Sequence, residues 1–256
     1  MEQGWTRQRN EISRLREDVM SLRKSYDRVK QMVEKPESFK VVEQVETYRS
    51  LWKPVQVNVV LLAESHVYTS QEDFLEWSYG ENPTYRGHLV RFVYCLGYGE
   101  NLVKISSNPG TPQFWKILYS CLHPAPKKGA FAPILKSLTR DKDWRIANKI
   151  LLLQQLKRGG VWLVDASIIG INGRDPNLKS RVVEASWDAY TGPLIERLDP
   201  RPRNIIVIGY GVAKILQNRL KRLNIPTHEI PQPQGWRRPG YAQFYQECFD
   251  ICSRFA

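Results

Sequence analysis

The sequence predicts an α/β fold in which a four-stranded parallel sheet is flanked by helices and preceded by an N-terminal helical arm. The first observation is a set of four short apolar runs with helical stretches between them: 57–63, 161–164, 204–208 and 225–230. Strands of a parallel sheet covered on both faces have this composition. The second observation is that polar or basic residues follow three of these runs, where ligands bind in such sheets.

Residues 3–34 predict a charged helix with one apolar seam. Apolar side chains there alternate spacings of three and four, as in about three heptads of a coiled coil: Ile12, Leu15, Val19, Leu22, Tyr26, Val29 and Val33. Pro36 ends this helix, so we predict an arm over 1–36 and an α/β domain over 37–256. The seam could pack against another chain, including a second copy of this one, or against the surface of its own domain.

Helices are predicted before, between and after the strands. A helix precedes the first strand, and turn residues such as Gly97 and Gly159-Gly160 bound several of the others. The predicted ranges are 37–51, 84–96, the second half of 106–121, 142–158, 178–198, 211–223 and 239–254. After the arm, the order is therefore β-α-β-α-β-α-β-α.

The composition favours a polyanionic partner. The 256 residues include 38 Lys and Arg against 26 Asp and Glu, which gives a net charge of +12. Nucleic acid is the first expectation and an anionic membrane surface the second; a merely basic soluble protein is the alternative. No apolar run is long enough to cross a membrane, and the first residues lack an apolar signal region, so we expect a cytoplasmic, DNA-associated protein.

The cysteines predict no cofactor. Cys95, Cys121, Cys248 and Cys252 contain no C-x-x-C pair, and we expect buried free thiols, with a metal or iron–sulfur site as the alternative. The GYG at 209–211 opens a helix without a G-x-G-x-x-G pattern, which argues against a nucleotide cofactor.

Four stretches between about 55 and 256 resemble motifs of the uracil-DNA glycosylase superfamily: VVLLAES (59–65), NPGTPQFW (108–115), GGVWLVDAS (159–167) and PQPQGWRRPG (231–240). The AES after the first strand is similar to the G-E-S/A-P variant of the first motif. The resemblance implies a four-stranded parallel sheet with DNA across the strand ends. The chain departs from the family in three places: the first motif lacks its Pro, Gln232-Pro233-Gln234 stands at the H-P-S motif, and Asp165 stands at the uracil-reading Asn.

Glu64, Ser65 and His66 are the predicted catalytic residues. Cleavage of a glycosidic bond needs a carboxylate that orients water and stabilises positive charge on the sugar, and Glu64 stands at a strand end. Ser65 could contact a phosphate or the water, and His66 could be the acid or an electrophile for the leaving base. The alternatives are a turn-capping Glu, a turn Ser and a structural His.

Asp165, Trp77 and Tyr79 are the predicted base-binding residues. An ionised Asp only accepts hydrogen bonds, and the amino group of cytosine offers the matching donor, so a cytosine derivative is favoured over uracil. The resemblance implies that an aromatic side chain from the region of Trp77 and Tyr79 stacks on the flipped base. An Asp that caps a turn is the alternative for Asp165.

The loop over 231–240 has the composition of a DNA-binding wedge. Trp236 stands where the family carries its inserted apolar residue, and Arg237 and Arg238 suit phosphates. Gln232 and Gln234 are predicted to contact DNA in place of the H-P-S motif. A surface Trp that packs on the last helix is the alternative. Lys127, Lys128, Arg174 and Lys179 are expected to be solvated or to contact phosphates non-specifically.

These patterns predict a DNA glycosylase that acts on a cytosine derivative, in repair or in defence against viral DNA with modified bases. The first alternative is a catalytically silent DNA-binding module of the same fold. Two others are a different enzyme on a flavodoxin-like or Rossmann-like sheet, and a scaffold protein that uses the 3–34 helix.

Overall fold

A four-stranded, all-parallel sheet forms the centre of the protein. The computed structural model describes residues 19–105, 107–124, 128–171, 175–232 and 241–255. Within these residues the strands are β1 (Val59–Ala63), β2 (Glu76–Ser78), β3 (Arg86–His88), β4 (Val161–Asp165), β5 (Asn204–Ile208) and β6 (Thr227–Ile230). The parallel sheet has the order β4-β1-β5-β6, and β2 and β3 form a separate antiparallel pair. The prediction of a four-stranded parallel sheet flanked by helices is confirmed.

The register of the sheet determines which polar residues meet. β1 lies between β4 and β5, and its last residue, Ala63, is level with Asp165 at the end of β4. Every residue of β1 and β4 is buried, because these strands are covered on both faces. β6 is an edge strand in which only Ile230 is buried. The register therefore places the residues after β1 beside Asp165.

Helices connect the strands and cover the sheet. In the described part of the chain they are α1 (19–29), α2 (Phe39–Leu51), α3 (Pro112–Ser120), α4 (Lys142–Arg158), α5 (Pro176–Ser186), α6 (Gly192–Glu196), α7 (Tyr210–Leu223) and α8 (Tyr241–Cys252). A π-helical turn over Trp187–Thr191 joins α5 to α6. The side chains of Asp141 and Asp175 accept backbone N–H groups at the first turns of α4 and α5.

The helix predicted over 84–96 is wrong. Asn82 caps a single turn at Pro83–Tyr85, and β3 follows, paired with β2. Gly87 has a φ of 150°, and a Cβ atom there would lie 2.6 Å from the hydroxyl oxygen of Tyr48. Residues 89–96 then continue without helix and are buried almost throughout. An amphipathic helix needs a polar face, and this segment has none to expose.

The described part of the arm packs against the rest of the chain. Leu22, Tyr26 and Val29 are buried in the same apolar core as the sheet. The Ser25 hydroxyl donates to the carbonyl oxygen of Ala189 at 3.0 Å. Ile12 and Leu15 lie outside the described residues, so pairing with a second copy and the division at residue 36 stay predictions.

The four cysteines are buried and carry free thiols. The described residues contain no group of three or more His, Cys, Asp or Glu side chains that could hold a metal ion. No helix among the described residues is long and apolar enough to span a membrane.

The core position of α1 gives a first testable prediction. Leu22→Ala removes a side chain that is 2% exposed, and we expect the free energy of unfolding to fall by about 2–5 kcal/mol. Val19→Ala is the matched control on the same seam, because Val19 is 46% exposed; a change of about 0.5 kcal/mol or less is expected there. Denaturant unfolding measures both values, and equal effects would contradict the packing of α1.

Candidate active site at the carboxyl end of the sheet

Glu64, Lys179 and Gln232 meet at the carboxyl edge of the sheet. Glu64 follows β1, Lys179 lies in the helix after β4, and Gln232 follows β6. The Lys179 ammonium lies 2.5 Å from Glu64 Oε2, and Gln232 Nε2 donates to the same oxygen at 2.9 Å. The Glu64 side chain keeps 18% of its surface exposed, so that water can reach this held carboxylate.

A chain of buried charged groups lies behind this edge. Asp165 Oδ2 accepts from an Arg49 guanidinium nitrogen at 2.8 Å and lies 3.6 Å from His66 Nδ1. His66 Nε2 lies 2.8 Å from Glu37 Oε2, and Arg49 also pairs with Glu46. The side chains of Glu37, His66, Asp165 and Arg49 are at most 3% exposed. Three carboxylates and two basic groups thus alternate through the interior.

Backbone contacts hold this chain to the sheet. The Thr191 hydroxyl donates to the Asp165 carbonyl oxygen at 3.1 Å. Trp162 Nε1 donates to the Arg49 carbonyl oxygen at 3.0 Å, which holds α2 against β4. The Arg49 guanidinium carbon lies 5.3 Å from the centre of the Phe92 ring. Asp165 is therefore placed by its strand, and Arg49 by a helix that is attached to that strand.

Carboxylates on both sides determine the charge of His66. Burial alone lowers the pKa of an imidazole, but the Glu37 carboxylate and the nearby Asp165 outweigh burial and raise the pKa of His66 to about 9. At neutral pH, His66 is thus an imidazolium with an N–H on each nitrogen. It can donate hydrogen bonds or supply positive charge, and it cannot act as a base.

Ser65, His66 and Asp165 line a cavity of about 30 Å³. Phe92 and Phe114 provide aromatic walls. A cavity of this size has room for about one water-sized group. A planar base can enter only if the walls move apart.

Polar atoms without hydrogen-bond partners belong to residues that line the same cavity. Among the described residues, His66 Nδ1, Arg91 Nε and Thr111 Oγ1 are buried without such a partner. Arg91 is held by Asp73, whose Oδ2 accepts from a terminal guanidinium nitrogen at 2.5 Å. Buried polar groups in native proteins are nearly always paired, so these atoms indicate a site for a group that accepts hydrogen bonds.

The predicted site residues separate into three sets: those at the carboxyl edge, those outside the described residues, and Trp77 and Tyr79, which lie elsewhere. Glu64, Ser65, His66, Asp165 and Gln232 lie at or directly behind the carboxyl edge. Gln234, Trp236, Arg237 and Arg238 lie outside the described residues, as do Lys127 and Arg174.

Trp77 and Tyr79 do not line the cavity. Trp77 is 5% exposed in β2, and its Nε1 donates to the Tyr48 hydroxyl at 2.8 Å. The Tyr79 hydroxyl donates to the Asp143 carbonyl oxygen at 3.5 Å. These positions give no support to a base-stacking role for Trp77 and Tyr79; the aromatic side chains that line the cavity are Phe92 and Phe114.

Sequence patterns did not single out several residues of the site: Glu37, Arg49, Arg91, Phe92, Thr111 and Phe114. Thr111 and Phe114 fall within the NPGTPQFW stretch, and that stretch was a usable signal for them. The others carry no motif, and only the fold brings them to the site.

Comparison with protein-family models, with curated proteins and with solved structures finds no match to this chain. The water-accessible Glu64 carboxylate at the carboxyl edge of the sheet can orient a water molecule. The cavity that begins at the next residue, Ser65, has aromatic walls, buried N–H donors and room for about one water-sized group.

The charge of His66 predicts a pH dependence of stability. The pKa of His66 is about 9 in the folded protein against 6.5 for a free imidazole. The contribution of His66 protonation to the free energy of unfolding is therefore complete below pH 6.5 and is lost as the pH rises through 9. The shift corresponds to on the order of 3 kcal/mol. We expect His66→Gln to remove this decline in unfolding free energy between pH 6 and about pH 9.5. His88→Gln, at a side chain that is 39% exposed, is the control and keeps the decline.

Proposed function

We propose that the protein is a DNA glycosylase that flips a base out of DNA and hydrolyses its N-glycosidic bond. The observation that carries the proposal is the water-accessible Glu64 carboxylate, which Lys179 and Gln232 hold at the carboxyl edge of the sheet. Ser65, the next residue in the chain, lines the cavity. In parallel α/β sheets this edge is where ligands bind. The net charge of +12 supports a DNA partner.

Glu64 is the residue that orients the attacking water. A positioned carboxylate can accept a proton from water and stabilise the positive charge that develops on the sugar. Lys179 and Gln232 both contact Oε2, so they fix one oxygen of the carboxylate and orient the other. Ser65, the next residue, lines the cavity, where its hydroxyl can contact the water or a phosphate.

The cavity is the proposed base pocket. Phe92 and Phe114 provide stacking surfaces. The N–H groups of His66 and Arg91 can donate hydrogen bonds to carbonyl oxygens or ring nitrogens of the base. An imidazolium also stabilises the negative charge that a leaving base acquires. Because the cavity measures about 30 Å³, entry of a base requires the walls to separate, with movement of the segment around Phe92 or of α3, which carries Phe114.

A cytosine derivative is the proposed base. Cytosine carries an amino donor beside ring-nitrogen and carbonyl acceptors, and the cavity combines the Asp165 carboxylate with donors from His66 and Arg91. Asp165 Oδ2 already accepts from Arg49, so Oδ1 is the oxygen proposed for the amino group. An enzyme with this preference would act in repair, or in defence against viral DNA with modified bases.

A catalytically silent DNA-binding module is the second candidate. The small volume of the cavity favours it, because no base fits there without movement. The retained, water-accessible Glu64 favours the enzyme. Cleavage separates the two candidates, since both bind DNA.

The proposed reaction is tested by incubating the protein with DNAs that carry different cytosine modifications. Released bases are measured by mass spectrometry and abasic sites are counted. We expect Glu64→Gln to lower the rate by about 10²–10⁴-fold with DNA affinity retained, because a positioned general base is lost. Glu81→Gln, the same change at an exposed position, should behave as wild type. Binding without release of any base would favour the silent module.

Asp165→Asn tests the choice of base. An acceptor-only Asp165 opposite a uracil oxygen leaves a buried polar group unpaired, at a cost of about 1–3 kcal/mol. We therefore expect wild type to prefer a cytosine-type base and Asp165→Asn to shift the preference towards uracil. The variant also removes the negative charge that Asp165 presents to Arg49. The quantity to compare is therefore the ratio of the cleavage rates on the cytosine-type base and on uracil, at a temperature where the variant is folded. A ratio unchanged by the substitution would remove Asp165 from base reading.

A further inference from the structure

Glu37 is a buried carboxylate that joins three parts of the candidate site. It precedes α2, outside the stretch that resembles the glycosylases, and is 1% exposed. Its Oε1 accepts from the backbone N–H of Thr69 at 2.5 Å, and its Oε2 accepts from the backbone N–H of Gly170 at 2.7 Å. His66 Nε2 lies 2.8 Å from the same Oε2.

These contacts connect the segment after β1 with the segment after β4. Gly170 allows the approach, because a Cβ atom there would lie 2.6 Å from backbone atoms of Tyr68. The three donors surround both oxygens of one side chain. A carboxylate can accept from all three, whereas the amide of Gln would turn its NH₂ group towards at least one of them.

The positions of the two His66 nitrogens determine their protons. Nε2 faces Glu37 Oε2, and Nδ1 lies 3.6 Å from Asp165 Oδ2. A neutral ring that donates from Nε2 would turn the lone pair of Nδ1 towards the Asp165 carboxylate. A ring with both protons presents an N–H to each carboxylate.

We infer that Glu37 is a positioning residue that fixes His66 as a two-proton donor, with Nε2–H on Glu37 and Nδ1–H available to a group in the cavity. The Nδ1–H has no hydrogen-bond partner among the described residues, since 3.6 Å exceeds hydrogen-bond length. The part of the inference in which the cavity group is an acceptor on a flipped base rests on the proposed function. The protonation of His66 by its contact with Glu37 does not depend on the proposed function.

The other charges around His66 are consistent with this role. Arg49 pairs with Asp165 through Oδ2, the oxygen that also lies nearest to His66, and the second partner of Arg49 is Glu46. Arg91, which lines the same cavity, is paired with Asp73. Glu64, two residues before His66, is paired with Lys179. Of the carboxylates described here, Glu37 makes the shortest contact with the imidazole.

The test is an NMR titration of the His66 side chain in wild type, Glu37→Gln and Glu34→Gln. In wild type we expect His66 to stay protonated well above pH 6.5. In Glu37→Gln its pKa should fall by about 1–3 units, because a neighbouring opposite charge is lost. Glu34→Gln is the matched control, an exposed glutamate in the same segment, and should leave the titration unchanged.

Two results would overturn the inference: a wild-type His66 that titrates at or below pH 6.5, or a folded Glu37→Gln in which the titration is unchanged. The wild-type measurement needs no variant, so it can overturn the inference even if Glu37→Gln fails to fold. In the cleavage assay, activity of Glu37→Gln should decline at lower pH than that of wild type. A shifted His66 titration in a protein that releases no base from any DNA would contradict the proposed function and leave the role of Glu37 standing.

Discussion

The buried contact between Asp165 and Arg49 is the interaction on which the rest of the site depends. It joins the end of β4 to α2 at 2.8 Å, with both side chains at most 3% exposed. Removing one partner of such a pair typically costs about 3–5 kcal/mol, because the other charge stays buried without compensation. Here the pair extends through His66 to Glu37. A change at any member therefore alters the charge that its neighbours experience, and the site responds as one unit.

The strands and most helices could be predicted because their signals are local. β5 begins and ends at the predicted residues, and α4 matches the predicted 142–158, since apolar runs, caps and glycines are visible within a few residues. The segment over 84–96 was mispredicted because its apolar residues are buried by the tertiary structure and do not form one face of a helix. When a segment is buried on all sides, the spacing of its apolar residues does not distinguish a helix from other backbone conformations.

The candidate site was predictable only in part, and the reason is distance along the chain. Glu64 and Gln232 were predicted from their places after strands, although Gln232 lies 168 residues from its partner. Glu37 and Arg49 could not be predicted, since the contacts of Glu37 with His66 and of Arg49 with Asp165 come from packing alone. For the same reason, Trp77 and Tyr79 were predicted to bind the base and Phe92 was not considered, since only the fold shows that Phe92 lines the cavity.

Ion pairs hold buried N–H donors of His66 and Arg91 at residues that line the small cavity. Burying His66 Nδ1 and Arg91 Nε without hydrogen-bond partners is unfavourable, and the ion pairs of both side chains with carboxylates hold them in place against that cost. Donors fixed in this way need no reorganisation when an acceptor arrives, which is the condition for strong electrostatic stabilisation of a leaving group. Under the proposed function, the apolar walls Phe92 and Phe114 would move to admit a base, while the charged groups would keep the positions that their buried ion pairs give them.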